Sequence, residues 1–245
     1  MDKMALYADR LQAALQTVFR EERGQLDRAA ALAATAIAAD RLLHVFGTGH
    51  SHMVGEELLY RAGGLACCSA ILDPPLMLHV GAEASTGKER ESGYAKTVLE
   101  RYTLTSGDLF FVVSNSGVNP VPVEAAQYAK EQGLTVVALV SKAYSQAAPL
   151  HPSLSVKLMD VADLVLDNHL PPGDALIPVG SGQQKAGPGS TVVAAAVFHA
   201  ICLGAIERLE AQGLTAPVYI SANMPGAKEH NAELVRRYKG RVYHL

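Results

Sequence analysis

Short, wholly apolar runs alternate with stretches of helical period along most of the chain. LLHVFG (42–47), GLACCSAIL (64–72), DLFFVVSNSG (108–117), GLTVVALVS (133–141) and VADLVLDN (161–168) are predicted strands. Between them the spacing of apolar residues predicts helices over about 51–61, 89–102 and 121–132. Two further helices precede the first strand. One, over 2–22, carries Met4, Leu6, Tyr7, Leu11, Leu15, Val18 and Phe19 at close to the helical period. The other, over about 25–40, is rich in alanine and suited to close packing.

Strands apolar on both faces and separated by helices belong to a parallel sheet covered on both sides. The fold class is therefore α/β, a doubly wound parallel sheet with an N-terminal helical extension. In such sheets ligands sit outside the carboxyl ends of the strands, which singles out the loops 47–51 and 114–119. The segment 170–190, LPPGDALIPVGSGQQKAGPGS, shows no periodicity and is expected to be a functional loop leading into an apolar helix over 191–211. The remaining tail predicts a short strand, a turn at Pro225-Gly226 and an amphipathic helix. The chain is expected to be one domain: helices over 1–40, an α/β core over 41–211, and a C-terminal strand and helix over 212–245.

Composition narrows the choice of partner. With 49% hydrophobic residues, 18% charged and a formal charge of −3, nothing favours nucleic acid or an anionic membrane. The N-terminal stretch lacks the apolar core and small-residue cleavage site of a signal peptide. The apolar run 192–206 is interrupted by His199 and is shorter than a bilayer span, so a buried helix is expected rather than a membrane segment. Cys67, Cys68 and Cys202 are expected to be reduced, small apolar packing residues, which fits a cytoplasmic protein.

GTGHS (47–51) follows a strand and opens a helix. Gly47 and Gly49 allow close approach of a ligand, and Ser51 sits beside first-turn amides that favour an anion. It is not a dinucleotide fingerprint, because His52 stands where the third glycine would be, nor a P-loop, because no Gly-Lys-Ser/Thr follows. SNSGVN (114–119) occupies the matching place after a later strand. There Ser114, Ser116 and Asn119, with Gly117 freeing the backbone, surround a helix N-terminus whose amides lack intrahelical partners, an arrangement suited to a phosphate monoester.

GTGHS after the first strand, SNSG after a later one, and two helices ahead of the sheet together resemble the SIS (sugar isomerase) domain, over about residues 35 to 210. More narrowly, the chain looks like the bacterial SIS proteins of the UPF0309 group. The resemblance implies a five-stranded parallel sheet flanked by helices, a sugar-phosphate ligand, and a homodimer or higher homo-oligomer with sites completed by a neighbouring subunit. It places the sugar phosphate on Ser51, Ser114 and Ser116, with Asn119 where a Ser or Thr is common.

His52 and Glu56 are four apart on a predicted helix, hence on one face, and could ligate zinc or form an acid/base pair. The spacing of HMVGE (52–56) matches the H-x-x-x-E of sedoheptulose 7-phosphate isomerase, a zinc-binding relative in this resemblance. That enzyme also uses a Gln and a His eight apart on a late helix; His199 matches the His, while Thr191 replaces the Gln. The implied metal set is His52, Glu56 and His199, with no organic cofactor.

For proton transfer the candidates are Glu56 or Glu57, assisted by His52 or His199. The resemblance further implies a sugar-facing glutamate from the segment 79–96, for which Glu83 and Glu91 are the candidates. Around Lys185, the sequence resembles the etherase branch that removes lactate from N-acetylmuramic acid 6-phosphate. Aldose–ketose isomerisation of a sugar phosphate is the leading expectation. Elimination or deamination of an amino-sugar phosphate and a non-catalytic sugar-phosphate sensor are its rivals.

Overall fold

In a computed structural model, which describes residues 2–245, the two leading helices are α1 (Lys3–Glu21) and α2 (Arg23–Ala38). Asp2 starts α1 by accepting hydrogen bonds from the amides of Met4 and Ala5, at 2.9 and 3.2 Å. The central sheet consists of β1 (Leu43–Gly47), β2 (Cys68–Ile71), β3 (Leu109–Val113), β4 (Thr135–Val140) and β5 (Leu164–Asp167). All pairings are parallel, in the order β2-β1-β3-β4-β5. Chain order reverses direction between β1 and β3. That is the switch point where the loops leaving two neighbouring strands diverge and open a crevice.

The period-two alternation within each strand divides the core in two. Leu109, Phe111 and Val113 face a layer containing α1, α2 and the helix α9 (Ser190–Ala211). Phe110 and Val112 face the opposite layer, with α5 (Tyr94–Leu99) and α6 (Pro120–Glu131). Between β1 and β2 lies α3 (Met53–Leu58), preceded by a single 3-10 turn over Gly49–His52. The short helices α7 (Lys142–Ala147) and α8 (Leu158–Val161) connect β4 to β5.

Several elements differ from the sequence expectation. A helix not expected from the sequence, α4 (Leu78–Lys88), precedes residue 89 and is bent at Gly81, and the expected helix over 89–102 contracts to α5. The segment 170–190 is not structureless but forms an antiparallel hairpin, β6 (Ala175–Val179) with β7 (Gln184–Pro188). Tyr7 of α1 closes over this hairpin, donating its hydroxyl to the Pro188 carbonyl at 2.8 Å, while its ring lies where a side chain at Gly187 would have to go. The C-terminal strand is reduced to one antiparallel bridge, Val218 with Leu65, ahead of α10 (Ala227–Tyr238).

α9 is 22 residues long and, by length and composition alone, apolar enough to cross a membrane. Its buried residues, among them Val193, Val197, Phe198, Ile201, Ala205 and Leu209, instead form the stripe that packs on the sheet and on α2. The rings of Phe198 and Phe111 meet edge to face at 5.0 Å. Gly204 lets α2 approach so closely that a Cβ there would stand 2.9 Å from that of Ala30.

Candidate functional site

The crevice at the switch point is a narrow cleft at the carboxyl ends of the strands. Its walls come from Ser51 and Val54 after β1, Val113 and Asn115 at the end of β3, Leu139 of β4, Asn168 after β5, and Ser190, Thr191 and Ala194 of α9. Both glycine-serine loops therefore reach one place.

The first loop owes its tightness to glycine. A Cβ on Gly47 would lie 2.6 Å from the backbone carbon and oxygen of Ser51, closer than any real contact. Gly49 has φ 53°, in the region that disfavours side chains. The Ser51 amide bonds the Thr48 carbonyl at 3.0 Å, and the Ser51 side chain is left lining the cleft.

The second loop is held from behind. Three of its carbonyls are engaged: Asn115 accepts from the Ser141 amide at 2.9 Å, Gly117 from Leu158 at 2.9 Å, and Val118 from His151 at 3.2 Å. Ser114, buried, accepts the Gly117 amide on its Oγ at 3.2 Å and fixes the turn at the positive φ of Gly117. Among the described residues, the amides of Ser116, Val118 and Asn119 have no acceptor. Unspent N–H groups on either side of the engaged Gly117 amide, on a turn with three of its carbonyls committed elsewhere, are suited to binding an anion.

The donors differ from those expected. α6 begins Pro120-Val121-Pro122, so two of its first three positions have no N–H, and the Val121 amide bonds the Glu89 carbonyl at 3.1 Å. The helix N-terminus is thus already used up, and the loop ahead of it supplies the free amides. Asn119 does not cap the helix; its amide nitrogen donates to Glu89 Oε1 at 3.0 Å. α9 is likewise unavailable at its start, because Asp174 accepts from the Gly189 and Ser190 amides at 3.1 and 2.8 Å and from the Ser190 hydroxyl at 2.5 Å.

Beside Ser51, the Nδ1 of buried His52 lies against the Gly49 carbonyl. A carbonyl can only accept, so Nδ1 carries a proton. The Nε2 of the same ring faces Glu56 Oε1 at 3.6 Å. His199 is engaged elsewhere: its Nε2 is 3.0 Å from Glu57 Oε1, which also receives Arg61 at 2.7 Å. This second pair ties α9 to α3.

The expected zinc set therefore does not assemble. His52 and Glu56 face each other while His199 is turned to Glu57, and among the described residues no three His, Cys, Asp or Glu side chains could hold a metal ion. Four-coordinate zinc needs convergent donors, and these do not converge.

Glu83, Glu91 and Lys185 are exposed, Glu91 in a surface pair with Lys88 at 2.7 Å and Lys185 on β7, and none lines the cleft. The glutamate of that region that touches the loop 114–119 is Glu89. Asn115 and Asn168 were not singled out by sequence, yet they line the cleft and bond each other, Asn168 Nδ2 to Asn115 Oδ1, at 2.7 Å. Thr191, which replaces the glutamine of the zinc enzymes, lines it too. The loops' positions after strand ends could have flagged the two asparagines, but neither has a distinctive spacing.

Comparison with known proteins gives a consistent picture. The SIS-domain family model matches residues 6–141. A UPF0309 protein of Brucella canis is 47% identical over 221 residues, covering 90% of each chain. Among solved structures, a candidate phosphosugar isomerase from Silicibacter pomeroyi superposes with a TM-score of 0.57 at 21% identity, covering 82% of this chain and 49% of that one, so this chain spans about half its length. A phosphoheptose isomerase from Francisella tularensis superposes with a TM-score of 0.55 at 15% identity, covering 84% and 97%.

Proposed function

The chain belongs to the SIS-domain family, in its UPF0309 group, and from that premise we propose that it is an aldose–ketose isomerase acting on a sugar phosphate. One observation supports this most: the loop 114–119 commits the carbonyls of Asn115, Gly117 and Val118 to the protein and leaves the amides of Ser116, Val118 and Asn119 without acceptors among the described residues, next to a cleft that Asn115 of the same loop lines. The phosphate sits on those amides and on the hydroxyls of Ser51 and Ser116, while Ser114 fixes the turn that aims them. A phosphate held by short hydrogen bonds without a lysine or arginine remains free to exchange.

The sugar then extends along the cleft toward His52. Its Nε2, with the tautomer fixed by Gly49, removes the proton on the carbon beside the carbonyl. The resulting enediolate takes that proton back on the neighbouring carbon, as a proton moves from one sugar oxygen to the other. Glu56 stabilises the imidazolium formed in between. Glu57 and His199 hold α3 against α9 and so fix the wall that carries His52. No electrons leave the substrate, so the reaction requires no organic cofactor.

The names of the structural relatives support the substrate class: candidate phosphosugar isomerase and phosphoheptose isomerase. A homo-oligomer is part of the proposal. Val192 and Leu203 of α9 are 44% and 65% exposed on the side away from the sheet, where a second copy would cover them. A cytoplasmic setting agrees with three buried free cysteines.

The test is proton NMR of the purified protein with a panel of hexose, heptose and amino-sugar phosphates. The proposal expects at least one to be converted to its aldose or ketose partner, with loss of conversion in His52→Ala. Binding without turnover, or release of lactate or ammonia in place of isomerisation, would overturn it.

A further inference from the structure

A second polar pocket lies at the opposite, amino-terminal edge of the sheet, about 90 Å³ in volume and lined by Arg41, Leu42, Thr103, Thr105, Asp108 and Arg241. β1 is five residues long, so this pocket is about 17 Å from the loop that leaves the other end of the same strand.

The charges of this pocket are unevenly matched. Asp108 is spent on the protein: its carboxylate accepts from the amides of Leu42 and Thr105 at 3.0 and 2.9 Å and faces His44 Nε2 at 3.1 Å. These bonds hold the starts of β1 and β3 together. Asp40 takes two arginines, Arg237 at 2.7 Å and Arg241 at 2.9 Å. Arg41 has neither a carboxylate nor a carbonyl: among the described residues its guanidinium makes no hydrogen bond or ion pair, and its stem lies across Gly107, where only a hydrogen stands. Of the Arg and Asp side chains in and beside the pocket, Arg41 is the one without an oppositely charged partner among the described residues. Among the described residues the hydroxyls of Thr103 and Thr105 also make no hydrogen bond, so both can donate.

An unspent guanidinium fork and two free hydroxyls around a small cavity suit a compact oxyanion, for which arginine offers paired, planar donors. We infer that this pocket is a second anion site, separate from the cleft, that takes a phosphate group between Arg41, Arg241, Thr103 and Thr105. The group can be free phosphate or the phosphate of a small metabolite, since one face of the pocket is open to solvent. Because the site sits on the loops that start β1 and β3, its occupant touches the same two strands whose far ends carry the cleft.

This inference is independent of the isomerase reading and is tested apart from it. Inorganic phosphate, glucose 6-phosphate and unphosphorylated glucose are titrated into the isotope-labelled protein, and the amide signals of Leu42, Thr103 and Thr105 are followed. The expected result is a saturable shift with both phosphates and none with glucose. A response to inorganic phosphate as strong as that to glucose 6-phosphate identifies free phosphate as sufficient, and a stronger one to the ester identifies a metabolite; either supports the site.

Arg41→Gln should weaken the response by roughly ten- to a hundred-fold, the loss of a charge-assisted bond. Ser116→Ala, in the cleft loop, should leave it unchanged. Thr103→Val, which removes one donor and no charge, should weaken it several-fold and guards against a fold defect in the arginine variant. Unmoved amides at saturating phosphate, or an unchanged response in Arg41→Gln, would overturn the inference.

Discussion

Ser114 and Ser116 stand two residues apart in one loop, yet the structure gives them different work, and replacing each by alanine separates the two. Ser114 is 5% exposed and its Oγ is the acceptor of the Gly117 amide. Removing it leaves a buried N–H without a partner, at a cost of about 1 to 3 kcal/mol. In a chain of this size each kcal/mol shifts Tm by about 2 to 4 °C, so Ser114→Ala should melt several degrees lower. Ser116 is half-buried, and among the described residues its hydroxyl makes no hydrogen bond, so Ser116→Ala should keep Tm within about 1 °C.

Affinity should follow a different order. The Ser116 hydroxyl would bond a charged phosphate, and its loss weakens sugar-phosphate binding by roughly ten- to a hundred-fold. Ser114→Ala should lose at least as much, because the turn that aims the free amides is also released. Differential scanning calorimetry gives the first quantity and isothermal titration with the sugar phosphate found by the NMR panel gives the second. If Ser116→Ala lowers Tm as much as Ser114→Ala does, or binds as tightly as the parent, the division between an anchoring and a ligand-facing serine is wrong.

Gly47→Ala should fail to reach the native loop, since its Cβ would stand 2.6 Å from the Ser51 backbone; little soluble protein, or a Tm drop of about 10 °C or more, is expected, and a normal Tm would show that the close approach does not exist. Asp108 predicts a particular acid response. Burial on its own raises its carboxyl, but the bonds from His44 and the Leu42 and Thr105 amides outweigh this, so its folded pKa lies below the ordinary value of 3.8. A depressed carboxyl stabilises above its unfolded pKa and loses that stability as pH falls through the folded one, so Asp108→Asn should cost stability at pH 7 and progressively less below about pH 4 in urea titrations. Cys68, whose thiol pKa is pushed well up by hydrogen bonding with Cys202 and Cys67 and by burial, should not react with a thiol reagent until the chain is unfolded.

The fold was largely legible because its signal is the coarsest one a chain carries. Five apolar runs separated by helical lengths leave few arrangements other than a parallel sheet, and Phe110 and Phe111 reach opposite cores by strand periodicity alone. The hairpin β6–β7 was missed because it is held by Tyr7 and by the cap that Asp174 places on α9, contacts that span long distances in sequence, while its own residues are glycine-rich and mostly exposed. The two loops were legible as a pair because glycine and serine at strand ends have few other uses.

Their donors were read less well. Pro120 and Pro122 in the sequence already deny α6 its N-terminal amides, a local fact that the pattern of serines obscured. The pairing of His199 with Glu57 in place of Glu56 could not be read, because it depends on how α9 turns against α3. Spacing places Glu56 and Glu57 side by side, and only packing decides which of them a distant helix meets.

The most direct measurement is a crystal structure of the protein with the sugar phosphate found by the NMR panel. The account predicts the phosphate within hydrogen-bond distance of the Ser116, Val118 and Asn119 amides and the Ser51 and Ser116 hydroxyls, with the sugar carbonyl end toward His52 Nε2. A phosphate bound elsewhere, with the amides of the loop 114–119 facing solvent or another part of the chain, would contradict it.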